Sequence, residues 1–228
     1  MVVVFGSSGH HLGWTNNVLE RLKSETKHLF IHVKNRKEMR LACESLEKNT
    51  LVIIAGWGWH MPDDIIERHN VLGLHPSDLP EYAGGTPMQH QIIDGITNTK
   101  MSLFELESIY DTGDIVNKRD MSLDGNMSEI FKNLEKASIK IILDLLETYP
   151  KYEKTSQIID KNHTILKRLQ HEDGSMTKEL YRKMSAREIY NFIRCREDPY
   201  PNTYYEDDTG TILFKSVDFI PARKVNND

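Results

Sequence analysis

Two cysteines are all the thiols in this 228-residue chain, and Cys43 and Cys195 stand too far apart for any metal or redox spacing. Both are expected to be free thiols in a reducing compartment. The ten histidines supply no metal site either: His10 and His11 are adjacent rather than four apart, and no His-Glu-x-x-His run exists. No apolar run approaches the length of a membrane span, and Met1–Gly6 holds too few apolar residues for a signal peptide, so a cytoplasmic protein is expected. Positive charge is not in excess. Lys and Arg number 29 against 34 Asp and Glu, a net charge of −5, and the basic residues are scattered. That pattern excludes an electrostatic footprint for a nucleic-acid backbone, although a nest of backbone donors could hold a small anion.

What is present describes an ordinary globule, 39% hydrophobic and 28% charged, long enough for one substantial domain with a small appendage. Val2–Phe5 is a β-branched run ended by Gly6-Ser7-Ser8-Gly9, and a helical segment with Val18, Leu19 and Leu22 on one face follows. This is the opening of a parallel α/β sheet. The turn is not a Gly-x-Gly-x-x-Gly fingerprint and reads as a plain strand-to-helix turn. Further strands are predicted at Leu29–Val33, Leu51–Ala55, Val71–Leu74, Met101–Leu106 and Ile115–Lys118. Helices are predicted at Lys37–Leu46, from Pro62, at Pro87–Asp94 and at Ser128–Tyr149, the last with Ser128 as its N-cap. The fold class is therefore α/β, a Rossmann-like and mostly parallel sheet with flanking helices over residues 1–150. Residues 151–228 read as an extension: a polar connector, a short helix from the capping box Ser185–Glu188, and a hairpin of Thr203–Glu206 with Thr211–Lys215.

The chemistry gathers at predicted strand ends, where open α/β sheets place their ligands. His75 follows the run Val71–Leu74 in Gly73-Leu74-His75-Pro76-Ser77, and Asp111 follows Met101–Leu106 in Asp111-Thr112-Gly113-Asp114. A histidine oriented by a carboxylate is a proton-handling pair. Either residue alone is ordinary loop chemistry; the combination, framed by Gly84-Gly85-Thr86-Pro87, is not. No nucleophile elbow surrounds Ser77, which reads as a loop-shaping or substrate-bonding hydroxyl. Asp114 reads as a cap of its own turn. After the third strand, Gly56-Trp57-Gly58-Trp59-His60-Met61 sets two indoles among exposed backbone groups, a loop suited to a flat heteroaromatic ring, though each indole could equally pack a core.

Taken together, the His-Pro-Ser and Asp-Thr-Gly-Asp motifs with the Gly-Gly-Thr-Pro loop resemble the folate-dependent formyltransferase family, and most of all its nucleotide-linked amino-sugar N-formyltransferases. The resemblance implies the formyltransferase fold, N10-formyltetrahydrofolate as donor, no metal, and the primary amine of a nucleotide amino sugar as acceptor. A role in making surface polysaccharides and a homodimer are implied with it. It places catalysis at His75, Asp111 and the Gly73 position, and the folate at Trp57, Gly58, Trp59, His60, Met61, Ile109, Asp111 and Asp114. The acceptor falls to Ser77, Gly85, Thr86 and His10. Methionyl-tRNA formyltransferases carry an added barrel domain, for which the 78 residues after Pro150 are too few. One departure stands out. The family reads Asn-x-His where this chain has Gly73-Leu74-His75, so a backbone N–H, a water, Asn70 or Gln89 supplies the missing donor, or the chain is a weakly active or non-catalytic folate- or nucleotide-binding homologue. A glycinamide ribonucleotide formyltransferase-like enzyme is a further alternative.

Overall fold

The computed structural model describes residues 1–8, 13–160 and 164–222. Its six-stranded sheet has the order β2-β1-β3-β4-β5-β6, from β1 (Val2–Gly6), β2 (Leu29–Val33), β3 (Leu51–Ala55), β4 (Asn70–His75), β5 (Asn98–Glu105) and β6 (Ile115–Ser122). The first four strands are mutually parallel. β5 runs antiparallel to β4, and β6 antiparallel to β5.

The continuous apolar character of β1, β3 and β4 follows from burial on both faces. Val3, Phe5, Leu51, Ile53, Ala55 and Leu72 enter one core with α1 (Gly13–Glu25) and α5 (Met127–Thr148). Val4, Val52 and Val71 enter the other with α2 (Arg36–Ser45) and α3 (Asp63–Arg68). Alternation along β4 therefore turns Val71, Gly73 and His75 to the α2/α3 face. The short α4 (Pro87–Ile93) follows the Gly84-Gly85-Thr86 turn.

Several expectations shift in detail. Asn126, not Ser128, caps α5, because Asn126 and Glu129 close a reciprocal capping box and Ser128 then falls inside the first turn. Beyond Pro150 the chain forms a 3₁₀ turn at Glu172–Gly174, α6 (Lys178–Lys183), α7 (Ala186–Arg194) and the hairpin of β7 (Thr203–Asp207) with β8 (Gly210–Phe214). Helix α6 was not legible because it buries no residue, so no apolar period marks it. The extension is tied to the sheet domain: the Arg194 guanidinium donates to the Leu123 carbonyl at 2.7 Å, and the Glu197 carboxylate accepts from the Met127 amide at 2.9 Å. Both cysteines are buried, and burial pushes each thiol up to about 11, which keeps them protonated and inert. No helix among the described residues is long and apolar enough to cross a membrane.

Candidate active site

His75 is not on a loop: it is the last residue of β4 and pairs with Ser102 of β5. The antiparallel direction of β5 also corrects the expected route of Asp111. The strand ends at Glu105, level with Leu72 rather than with His75. Residues 106–114 then return along the α2/α3 face, with Leu106 against Gly73, and deliver Asp111 to the imidazole.

There His75 Nδ1 lies 3.5 Å from Asp111 Oδ2, and the same oxygen accepts the Gly84 backbone N–H at 2.8 Å. His75 Nε2 donates to the Tyr82 carbonyl at 2.9 Å, which requires a proton on that nitrogen. Both ring nitrogens thus face acceptors, and the residue is only 6% exposed. Tyr82 and Asp111 hold their positions in left-handed backbone, at φ +56° and +57°. Tyr82 is anchored by its hydroxyl, which donates to Asp94 at 2.9 Å; burial first and then Asp94 push that phenol up to about 12.

The space beside Gly73 is filled. A side chain there would meet Leu106 Cδ1 at 2.7 Å and the Phe104 ring at 2.8 Å. Phe104, whose ring lies edge-on to His75 with centroids 6.4 Å apart, therefore occupies the direction an asparagine amide would take. The named substitutes are engaged elsewhere. Asn70 sits at the far end of β4 and bonds the Asn49 carbonyl and the Tyr149 hydroxyl, and Gln89 bonds Tyr200. Gly73→Asn is accordingly expected to overpack the site by about 1–3 kcal/mol. For a chain of this size that lowers Tm by roughly 2–12 °C in a thermal melt. An unchanged Tm would show that Phe104 and Leu106 give way freely.

The folate loop divides. Met61 is 3% exposed in the second core, and Trp57 packs against that core with its Nε1–H buried and unpartnered among the described residues. Met61 is thereby corrected to a packing residue, drawn inward by the apolar face of α2 and α3, while Trp57 stays partly exposed. Trp59 stands edge-on to Trp57 with centroids 4.9 Å apart, Gly58 is exposed, and His60 contacts the Ser108 carbonyl at 3.3 Å and the Tyr110 ring. Ile109 is 65% exposed beside Asp111. Asp114 takes no such open position: it accepts from Ser156 Oγ at 2.8 Å and lies 3.4 Å from Lys154 Nζ, so its carboxylate faces the connector rather than capping its own turn.

On the acceptor side, Ser77 is corrected. It is fully buried, and its hydroxyl donates to the Glu81 carbonyl at 2.6 Å, which shapes the loop and leaves nothing for a substrate. Gly85 donates its amide to the Leu166 carbonyl at 2.8 Å, and Thr86 Oγ1 accepts from the Leu169 amide at 3.0 Å. A connector that reads as featureless and polar thus covers the Gly-Gly-Thr loop, which explains why both glycines are needed: a Cβ on Gly85 would collide with the Arg168 backbone. Beside Thr86 a cavity of about 30 Å³, lined by Gln89, Leu169, Arg196 and Tyr200 among others, has room for one or two waters. His10 lies outside the described residues. Among the described residues, no cluster of His, Cys, Asp or Glu could hold a metal ion.

The fold is thus an α/β sheet of Rossmann-like type with a His–Asp contact at the end of its fourth strand. The chain belongs to the formyl transferase family, whose model matches residues 15–142. It is similar to the methionyl-tRNA formyltransferase of Syntrophomonas wolfei, 28% identical over 176 residues that cover 74% of this chain and 54% of that protein. The chain spans about half the length of the curated relatives it matches. Among solved structures, a methionyl-tRNA formyltransferase from Clostridium thermocellum superposes with a TM-score of 0.80 at 26% identity, covering 96% of this chain and 94% of that one. A 4-N formyltransferase from Francisella tularensis shares the fold at 12% identity, with a TM-score of 0.72 and coverage of 97% and 98%. A solved chain of nearly this extent also bears the methionyl-tRNA name.

Proposed function

We propose that this protein transfers a formyl group from N10-formyltetrahydrofolate to the primary amine of a nucleotide-linked amino sugar. The observation that carries the reading is the His75–Asp111 contact, closed by the Gly84 amide. In the reaction the amine nitrogen attacks the formyl carbon, an oxyanion develops, the bond to N10 of the folate breaks, and the proton lost by the new ammonium ends on N10. The imidazole N–H stabilises the oxyanion, and a carboxylate beside it keeps that ring oriented. For Nε2 to reach the reacting oxygen it must exchange the Tyr82 carbonyl for the substrate, a tightening that free enzymes often leave to the bound complex. Trp59, His60 and Ile109 offer the accessible apolar surface for the donor, and Thr86 lies toward the acceptor. Family membership supports the folate donor, and solved structures described as sugar N-formyltransferases share the fold.

A second reading has methionyl-tRNA as the acceptor, which the curated relatives favour. A third is a folate-binding homologue of low activity, which the Phe104-filled space at Gly73 favours. One assay separates them: formyl transfer from N10-formyltetrahydrofolate to nucleotide amino sugars, methionyl-tRNA and glycinamide ribonucleotide side by side. Formylated sugar is the expected product. Preference for methionyl-tRNA or the ribonucleotide, or donor binding with no transfer at all, would overturn the proposal.

A further inference from the structure

The Asp111 loop is held from outside itself. Residues 152–157, just beyond the last long helix, lie along β5 and the returning loop. Tyr152 donates its hydroxyl to Glu105 at 2.9 Å, and Lys154 donates to the same carboxylate at 2.6 Å. Thr155 exchanges backbone hydrogen bonds with Ile115, and Ser156 bonds Asp114. These contacts grip the strand or the far end of the turn. Gln157 differs, since its side chain reaches the turn's centre: Nε2 donates to the Asp111 carbonyl at 2.9 Å and to the Gly113 carbonyl at 2.7 Å.

That amide has two hydrogens, and both are used. Its oxygen, Oε1, is buried without a hydrogen-bond partner among the described residues. The orientation is therefore fixed, because a flipped amide would set an oxygen against two carbonyls. Asp111 is in left-handed backbone, a conformation with a free-energy cost that is smaller for aspartate than for most residues and that its surroundings must offset. From that backbone its carboxylate faces His75 and the Gly84 amide.

We propose that Gln157 is a positioning residue for the reaction, fixing the Asp111 backbone so that the carboxylate meets the His75 ring. The proposal rests on the reading of His75 and Asp111 as the proton-handling pair, so its test has one arm that needs no substrate. In Gln157→Leu, which keeps the bulk and removes both donors, amide hydrogen exchange at Gly84 is expected to quicken at least tenfold. Exchange at Leu103, in the centre of the sheet, should stay within twofold. In the same variant kcat for formyl transfer is expected to fall about 10- to 100-fold with both KM values within threefold, the sign of a geometry lost at the reacting atoms rather than in binding. Gln157→Asn, too short to span both carbonyls, should change both readouts in the same direction and serves if the leucine variant does not fold. Unchanged Gly84 exchange in a folded variant, or wild-type kcat, would overturn the proposal. Quickened Gly84 exchange in Gln157→Leu, alongside a wild-type protein that formylates no acceptor, would uphold the positioning geometry and sink the assigned reaction instead.

Discussion

His75→Ala is expected to lower the maximal rate of formyl transfer by about 10²–10⁴-fold, the range that a positioned acid–base group supplies. The KM for the acceptor should stay within a few-fold. The ring sits at the end of β4 with one nitrogen toward Asp111 and the other toward Tyr82, so alanine removes the group without altering the strand's backbone pairing with Ser102. Asp111→Ala should reproduce much of the loss. It leaves the Gly84 amide without its acceptor and the imidazole without its orienting charge. Because the two act as one unit, the double variant should be little slower than the worse single one. Steady-state kinetics with saturating donor decide it. A histidine variant that keeps its maximal rate and loses only acceptor affinity would assign His75 to binding, and the proton-handling role would fall.

Gly84→Ala should have a large effect on the folded state. Gly84 has φ +108°, a backbone region that alanine enters only under strain, and an added Cβ would run into the Leu166 main chain. Neither partner is a flexible side-chain end, so the connector or the turn must move. A loss of about 3 kcal/mol is expected, which is roughly 6–12 °C in Tm for a chain of this length. Activity should fall as well in the fraction that remains folded, since the Gly84 amide is the second ligand of the Asp111 carboxylate. Gly95 offers the control: it too has positive φ, +80°, but nothing would crowd its Cβ, so Gly95→Ala should lose only the milder backbone strain. Equal melting temperatures for the two variants would show that the connector does not press on Gly84.

Much of this was legible along the chain. Valine and isoleucine runs bounded by Gly-Ser and Asn-Thr segments marked the parallel strands, because strands buried on both faces have no polar side to show. Helix α5 was marked by apolar residues at helical spacing, and Ile130, Leu134, Ala137, Ile141 and Leu145 are all buried. Gln157 could be found only weakly, since a lone glutamine in a polar stretch has no periodicity or motif to single it out. The inward turn of Met61 was equally hidden: a loop sequence does not say which of its apolar residues a neighbouring helix face will draw in.

By itself the sequence determined the class of fold, the positions of the strands, and the two motifs from which a histidine and an aspartate could be drawn together. Those follow from local propensity and from burial patterns that repeat every two or 3.6 residues. Tertiary structure alone decided that β5 runs against its neighbour and that the Asp111 loop returns along one face. It also set Phe104 in the space beside Gly73 and seated the connector on both loops. Each of these depends on which residues distant in the chain come within contact, and side chains only a few ångströms long choose among such partners once the sheet has already brought them together.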